Sequence, residues 1–202
     1  MSRHSFRNRS EGFTLLELLV VMILLGIFFV VFFAAFSSSI YDYFDLQKTT
    51  DDFSSLAVAS QRMSNVIRGT TDIVSLNNND LSLYAYFYPN DATVSLIHYY
   101  LNSQNTALLV DVTPMTANPP SGTPIPAQMK TYTILSNYTY VNNVNLFTYL
   151  NDTGTALSLP IVNEHIVSGV TITMAVPGSS TRQNGNQTMQ LTVNLRNRKT
   201  NL

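Results

Sequence analysis

Glu17 is the residue whose chemistry most needs a partner. It stands in FTLLELLVVMILLGIFFVVFFAAF, residues 13–36, which is apolar apart from Thr14 and Glu17. A carboxylate in a membrane-spanning helix costs about 2.5–3.5 kcal/mol at the bilayer centre even on the gentler insertion scale. Near the membrane edge, where the side chain can snorkel, the cost is smaller. An opposite charge brought close in low dielectric would offset it, whereas an unpaired charge is penalised. Elsewhere the residues that carry chemistry are sparse. His4, His98 and His165 are far apart in the sequence and suggest no metal cluster or proton relay. With no cysteine there is no disulfide, thiol nucleophile or thiolate metal site. No phosphate-binding glycine loop, serine elbow or zinc signature occurs, so an enzyme has no residues to rest on and no cofactor is expected. Asn151-Asp152-Thr153-Gly154 is oxygen-rich but lacks the spacing of an EF-type calcium loop, and a hairpin turn is the simpler expectation. Arg196, Arg198 and Lys199 form a basic tip that could touch DNA phosphates, yet three charges do not establish nucleic acid as a partner, and a solvated terminus explains them equally.

The element that must position Glu17 is a membrane helix. About 20 apolar residues span a bilayer, and residues 13–36 exceed that. Arg3, Arg7 and Arg9 precede the span and Asp42, Asp45, Asp51 and Asp52 follow it, which places the N-terminus in the cytoplasm and the rest outside. An ordinary secretory signal is disfavoured, because its apolar stretch runs to about 7–15 residues before a small-x-small cleavage site. Here the stretch is longer and residues 34–37 make a poor site. A simple anchor accounts for the apolar run but leaves Glu17 unexplained.

Gly12-Phe13-Thr14-Leu15-Leu16-Glu17, after a short basic leader and before the long apolar run, closely resembles the start of type IV pilins, including the pseudopilins of secretion and competence systems. The resemblance covers about the first 36 residues. It implies that a membrane aspartyl protease, the prepilin peptidase, cuts between Gly12 and Phe13, and that Phe13 is then N-methylated. It further implies that Glu17 neutralises the new Phe13 amino group, usually that of a neighbouring subunit, and so sets the register of assembly. The implied partners are the prepilin peptidase, other pilin subunits, the assembly platform and, before assembly, membrane lipid. Relatives often carry a glycine and, about two turns later, a helix-breaking proline. Gly26 fits the glycine and is a candidate point of helix flexibility, but Ala34 holds the proline position.

Beyond the span, Tyr41, Tyr43 and Phe44 suit an interfacial aromatic belt. Phe53, Leu56, Ser60, Met63 and Ile67 then recur at three- and four-residue steps, so one long helix is expected to run to Arg68 and to end at Gly69. From Asp72 the period becomes two. Strands are expected at 81–88, 93–101, 106–112, 130–141 and 144–150, and a C-terminal hairpin at 170–176 and 189–195, each of its strands with one buried face, turned through Pro177-Gly178 and Asn184-Gly185. The fold class is therefore α+β, a long N-terminal helix packed on a C-terminal antiparallel sheet, which is also the pilin layout. The expected organisation is a leader at 1–12, a transmembrane and assembly helix at 13–36, a second helical half at 37–69 and a β-rich head at 70–202. The proline-rich stretch 113–126 should be an exposed loop or partly extended linker; with Tyr84, Tyr86, Tyr88, Tyr99 and Tyr100 it could form a recognition surface.

A net charge of -1 brings no positive field to gather nucleic acid or anionic lipid. Charged residues make up only 11%, against about 25% in an average soluble domain, so uncharged polar groups must keep the head soluble. The expected function is a structural subunit of a type IV pilus or a related secretion or competence pseudopilus, more in the style of a minor, tip-associated pilin. A major pilin of the same filament, or a monomeric membrane-anchored surface binding protein, remain the alternatives.

Overall fold

The structure, a computed structural model, describes residues 13–141, 144–178 and 185–196. The leader with Gly12 and His4, the turn residue Asn184, and Arg198 and Lys199 lie outside the described residues. The chain divides into two compact units, Met1–Leu46 and Gln47–Leu202.

The described part of the first unit is helical from Leu15 on. Helix α1 (Leu15–Arg68) begins in it and passes without a break through Gly26, Ala34 and the serine run 37–39. Serine competes for backbone partners and often ends helices. Here Ser39 Oγ donates back to the Ala35 carbonyl at 3.0 Å, which keeps that hydroxyl within the helix. At about 1.5 Å per residue, residues 13–36 extend about 36 Å, enough for a hydrocarbon core of about 30 Å. From residue 13 to residue 44 every side chain is exposed, so among the described residues of this unit nothing covers the apolar surface.

The second unit packs the end of α1 with two antiparallel sheets around one core. Strands β1 (Asp72–Leu76), β2 (Asp80–Ala85), β3 (Ser95–Leu101), β4 (Leu108–Pro114) and β5 (Lys130–Leu135) pair in chain order. Strands β6 (Phe147–Leu150), β7 (Gly169–Val176) and β8 (Gln187–Asn194) form a second sheet in chain order. Leu56, Met63 and Ile67 from α1 join Ile97 and Tyr99 of β3 and Ile172 of β7 in one buried cluster. This is the α+β arrangement expected of the sequence, and α1 ends at Arg68 as its periodicity predicts.

Several details differ. Phe53 is 55% exposed, while Asp52 is buried, because the inward face of α1 runs through 52, 56, 59–60, 63 and 66–67 and Phe53 is rotated off it. Strand β1 escapes a period-two search because its pairing shifts between Ile73 and Ser75, a bulge that interrupts the alternation and leaves Val74 exposed. Strand β2 stops at Ala85 instead of Tyr88, where the Asp91 carboxylate accepts from the Tyr88 amide at 2.9 Å and turns the chain. Strand β5 ends at Leu135, and the following chain reaches the other sheet, the Thr139 amide donating to the Ala175 carbonyl at 2.8 Å. Strands β3, β4 and β6 begin two or three residues later than expected, and β4 continues to Pro114. The C-terminal hairpin is present, with β8 alternating as predicted, but β7 is buried on both faces. As the central strand it packs Thr171 and Ala175 as well as Ile172 and Met174, and the Thr171 hydroxyl is satisfied 2.9 Å from that of Thr192 on β8.

Candidate assembly site

Thr14 and Glu17 open α1 together. Thr14 is the residue before the first helical one, and its carbonyl accepts the first helical bond, from the Leu18 amide at 3.2 Å. Its hydroxyl accepts from the Glu17 amide at 3.2 Å, and the Glu17 carboxylate accepts from the Thr14 amide at 3.4 Å. This reciprocal Thr-x-x-Glu arrangement is a capping box, which satisfies two amides that a helix start leaves without partners. The positive end of the helix dipole lies at the same place and favours a carboxylate there. Glu17 is thus partly satisfied within its own chain, a role that Thr14-x-x-Glu17 spells out in the sequence beside the unpaired charge. The cap supplies hydrogen bonds but no cation. Phe13, next to the cap, is 82% exposed.

C-terminal to the cap the apolar helix has structure of its own. Phe28, Phe32 and Phe36 stack at four-residue steps, neighbouring ring centroids 6.1 Å apart and rings within 20° of parallel. A Cβ added at Gly26 would meet nothing within 4 Å, so no contact among the described residues requires glycine there. Tyr41, Tyr43 and Phe44 are exposed, with Tyr43 and Phe44 in edge-to-face contact, in keeping with an interfacial belt.

The head residues named for chemistry are dispersed. Tyr99 is fully buried in the core and so belongs to no recognition surface, and burial holds its phenol well above the ordinary range. Tyr86 shares a cavity of about 490 Å³ with Asn118, Pro119, Pro120, Asp72 and His165. Tyr88 lines another of about 550 Å³ with Tyr132 and Lys130, and Tyr100 lines a third groove. The proline-rich stretch is tethered to the sheet instead of hanging as a linker. Asn118 Oδ1 accepts from the Val94 amide at 2.9 Å, and the Thr93 hydroxyl donates to the Met115 carbonyl at 3.1 Å. Residues 151–154 form a turn in which Asn151 Oδ1 accepts from the Thr153 and Thr155 amides and the Thr153 hydroxyl, with Gly154 at φ +78°. His98, isolated in sequence terms, has its Nε2 2.6 Å from Asp80 Oδ2 across the β2–β3 pair. Among the described residues no group of three or more His, Cys, Asp or Glu side chains could hold a metal ion.

Residues 7–33 match the family model of the prokaryotic N-terminal methylation motif. The chain therefore carries the leader motif of type IV pilins, continuous with a long N-terminal helix. No curated protein matches the chain.

Proposed function

We propose that this protein is a minor, tip-associated subunit of a type IV pilus or of a related secretion or competence pseudopilus. The coarser statement rests on one observation. The methylation motif at residues 7–33 belongs to structural subunits of the type IV pilin kind and runs into a helix whose apolar side chains are exposed from residue 13 to residue 44. Such a motif implies processing by a prepilin peptidase and assembly with other pilins, a structural and not a catalytic role. It fits a protein anchored in the membrane and later part of a surface filament.

In the finer reading, cleavage between Gly12 and Phe13 leaves Phe13 as an N-methylated cation beside the cap. The charge on Glu17 then pairs with the Phe13 amino group of a neighbouring subunit as apolar helices leave lipid for the filament. The basic leader holds the N-terminus in the cytoplasm, the head lies outside, and Gly26 gives the helix a point of flexibility. Mass spectrometry of the mature N-terminus tests this directly. A chain beginning with methylated Phe13, and its loss on Gly12→Ala, is the expected result; retention of Met1 with no association with filaments would defeat it. The amount of the protein in sheared filaments, relative to the most abundant subunit, separates a minor from a major pilin.

A further inference from the structure

Both the β1–β2 and the β3–β4 turns lie at one end of the five-stranded meander, and between them is an open groove of about 780 Å³. Asn77 and Asn78 line it from the first turn, Asn105 from the second, and Asp80, His98 and Tyr100 from the strands.

The two turns are held from behind. The Tyr149 hydroxyl donates to the Asn77 carbonyl at 2.7 Å, the Phe147 amide to the Asn78 carbonyl at 2.8 Å, and the Leu146 amide to Asn79 Oδ1 at 3.2 Å. In the second turn Asn102 Oδ1 accepts from the Thr106 and Ala107 amides, and Asn105 takes a left-handed φ of +52°. Every one of these bonds uses backbone or the side chains of Asn79, Asn102 and Tyr149. The side-chain carboxamides of Asn77, Asn78 and Asn105, on exposed residues, make no hydrogen bond among the described residues.

The strands add flat surfaces and an acceptor. His98 and Tyr100 stack with centroids 4.8 Å apart and an interplanar angle of 22°, which uses one face of each ring and leaves the other. The imidazole is fixed by Asp80 Oδ2, and the Tyr100 hydroxyl donates to Asp111 Oδ1 at 3.3 Å. Leu159 and Pro160 give the groove an apolar wall.

We propose that this groove binds a neutral saccharide. A sugar offers neighbouring hydroxyls that each donate and accept at its edge, and a patch of C–H groups on its face. Carboxamides, which also donate and accept, and a carboxylate match the edge; ring faces and the Leu159–Pro160 wall match the patch. Among the described residues no Lys or Arg lines the groove to neutralise a phosphate, sulfate or sialic acid carboxylate. Turns tied down in advance lose little freedom when a ligand arrives, which favours affinity. The volume falls within the range of about 300–1,000 Å³ common for small-ligand sites. Nothing in this site depends on the subunit polymerising.

The test uses the full-length chain in lipid nanodiscs, free of sugar-headed detergent, on an array of neutral hexose and N-acetylhexosamine oligosaccharides. Sulfated and sialylated glycans and an uncharged peptide share the array. Retention by at least one neutral oligosaccharide is expected, weakened about tenfold by Asn78→Ala combined with Asn105→Gly. Glycine suits the left-handed backbone at 105, and neither side-chain carboxamide has a partner among the described residues, so the melting curve should be unchanged. Tyr100→Leu, measured separately, should lower the same retention through loss of the ring. Retention by charged glycans only, by the peptide only or by nothing, or equal retention by the substituted chains, would overturn the proposal.

Discussion

Glu17 has an observed role and a proposed one, and a single substitution can separate them. As the third residue of the helix it completes the cap with Thr14, a role that glutamine also fills. As a charge it would pair with a neighbouring Phe13 amino group, which glutamine cannot do. Glu17→Gln is therefore expected to insert in the membrane and keep the helix start, yet to be depleted from sheared filaments. If it enters filaments like the parent chain, capping alone accounts for Glu17 and the charge-pairing role fails. Thr14→Ala removes the cap from the other side and is expected to weaken the first turn by about 0.5–2 kcal/mol, read as faster amide exchange at residues 15–18. The charge problem is legible from Glu17 alone; the cap is equally present in Thr14-x-x-Glu17, but a lone carboxylate in an apolar run points first to a missing counter-charge. His98 and Asp80 are separated by 18 positions, and only the β2–β3 register makes them neighbours.

Helix and strands differ in how far local pattern defines them. The inward stripe of α1 is read from three- and four-residue steps, and its phase alone tells whether Phe53 or Asp52 faces the core. In nanodisc-held subunits, Leu56→Ala is expected to cost the head about 2–5 kcal/mol, since Leu56 is fully buried. Phe53→Ala should fall within about 0.5 kcal/mol of the parent, as exposed substitutions usually do. Equal losses at the two positions would show that the stripe is phased as the sequence alone suggests. Strands with clean alternation, β2, β3 and β8, were visible before the fold was known. Strand β1 was not, because a bulge breaks its period, and β7 misled because a central strand buries both faces. The groove between the turns is not legible for a related reason: its asparagine carboxamides sit in loops that carry no periodic signal and meet only through strand pairing.

For the head as a whole, buried phenols set the response to alkali. Burial pushes the Tyr99 and Tyr149 phenols well above the ordinary value near 10. In the unfolded chain both ionise as the pH passes about 10, whereas the folded head keeps them neutral. Above that point the unfolded state has released protons that the native state retains, so stability is full below pH 10 and falls as pH rises beyond it. Thermal melts of the dispersed subunit should show a constant Tm near neutrality and a steady decline above about pH 10. The two residues then divide the effect. The Tyr149 hydroxyl donates to the Asn77 carbonyl at 2.7 Å, so Tyr149→Phe should cost about 0.5–1.5 kcal/mol at pH 7. The Tyr99 hydroxyl is buried with no partner among the described residues, so Tyr99→Phe should leave the neutral-pH melt unchanged or raise it, and should flatten the alkaline decline. A decline as steep in Tyr99→Phe as in the parent would mean that ionisation at position 99 is not what loosens the head.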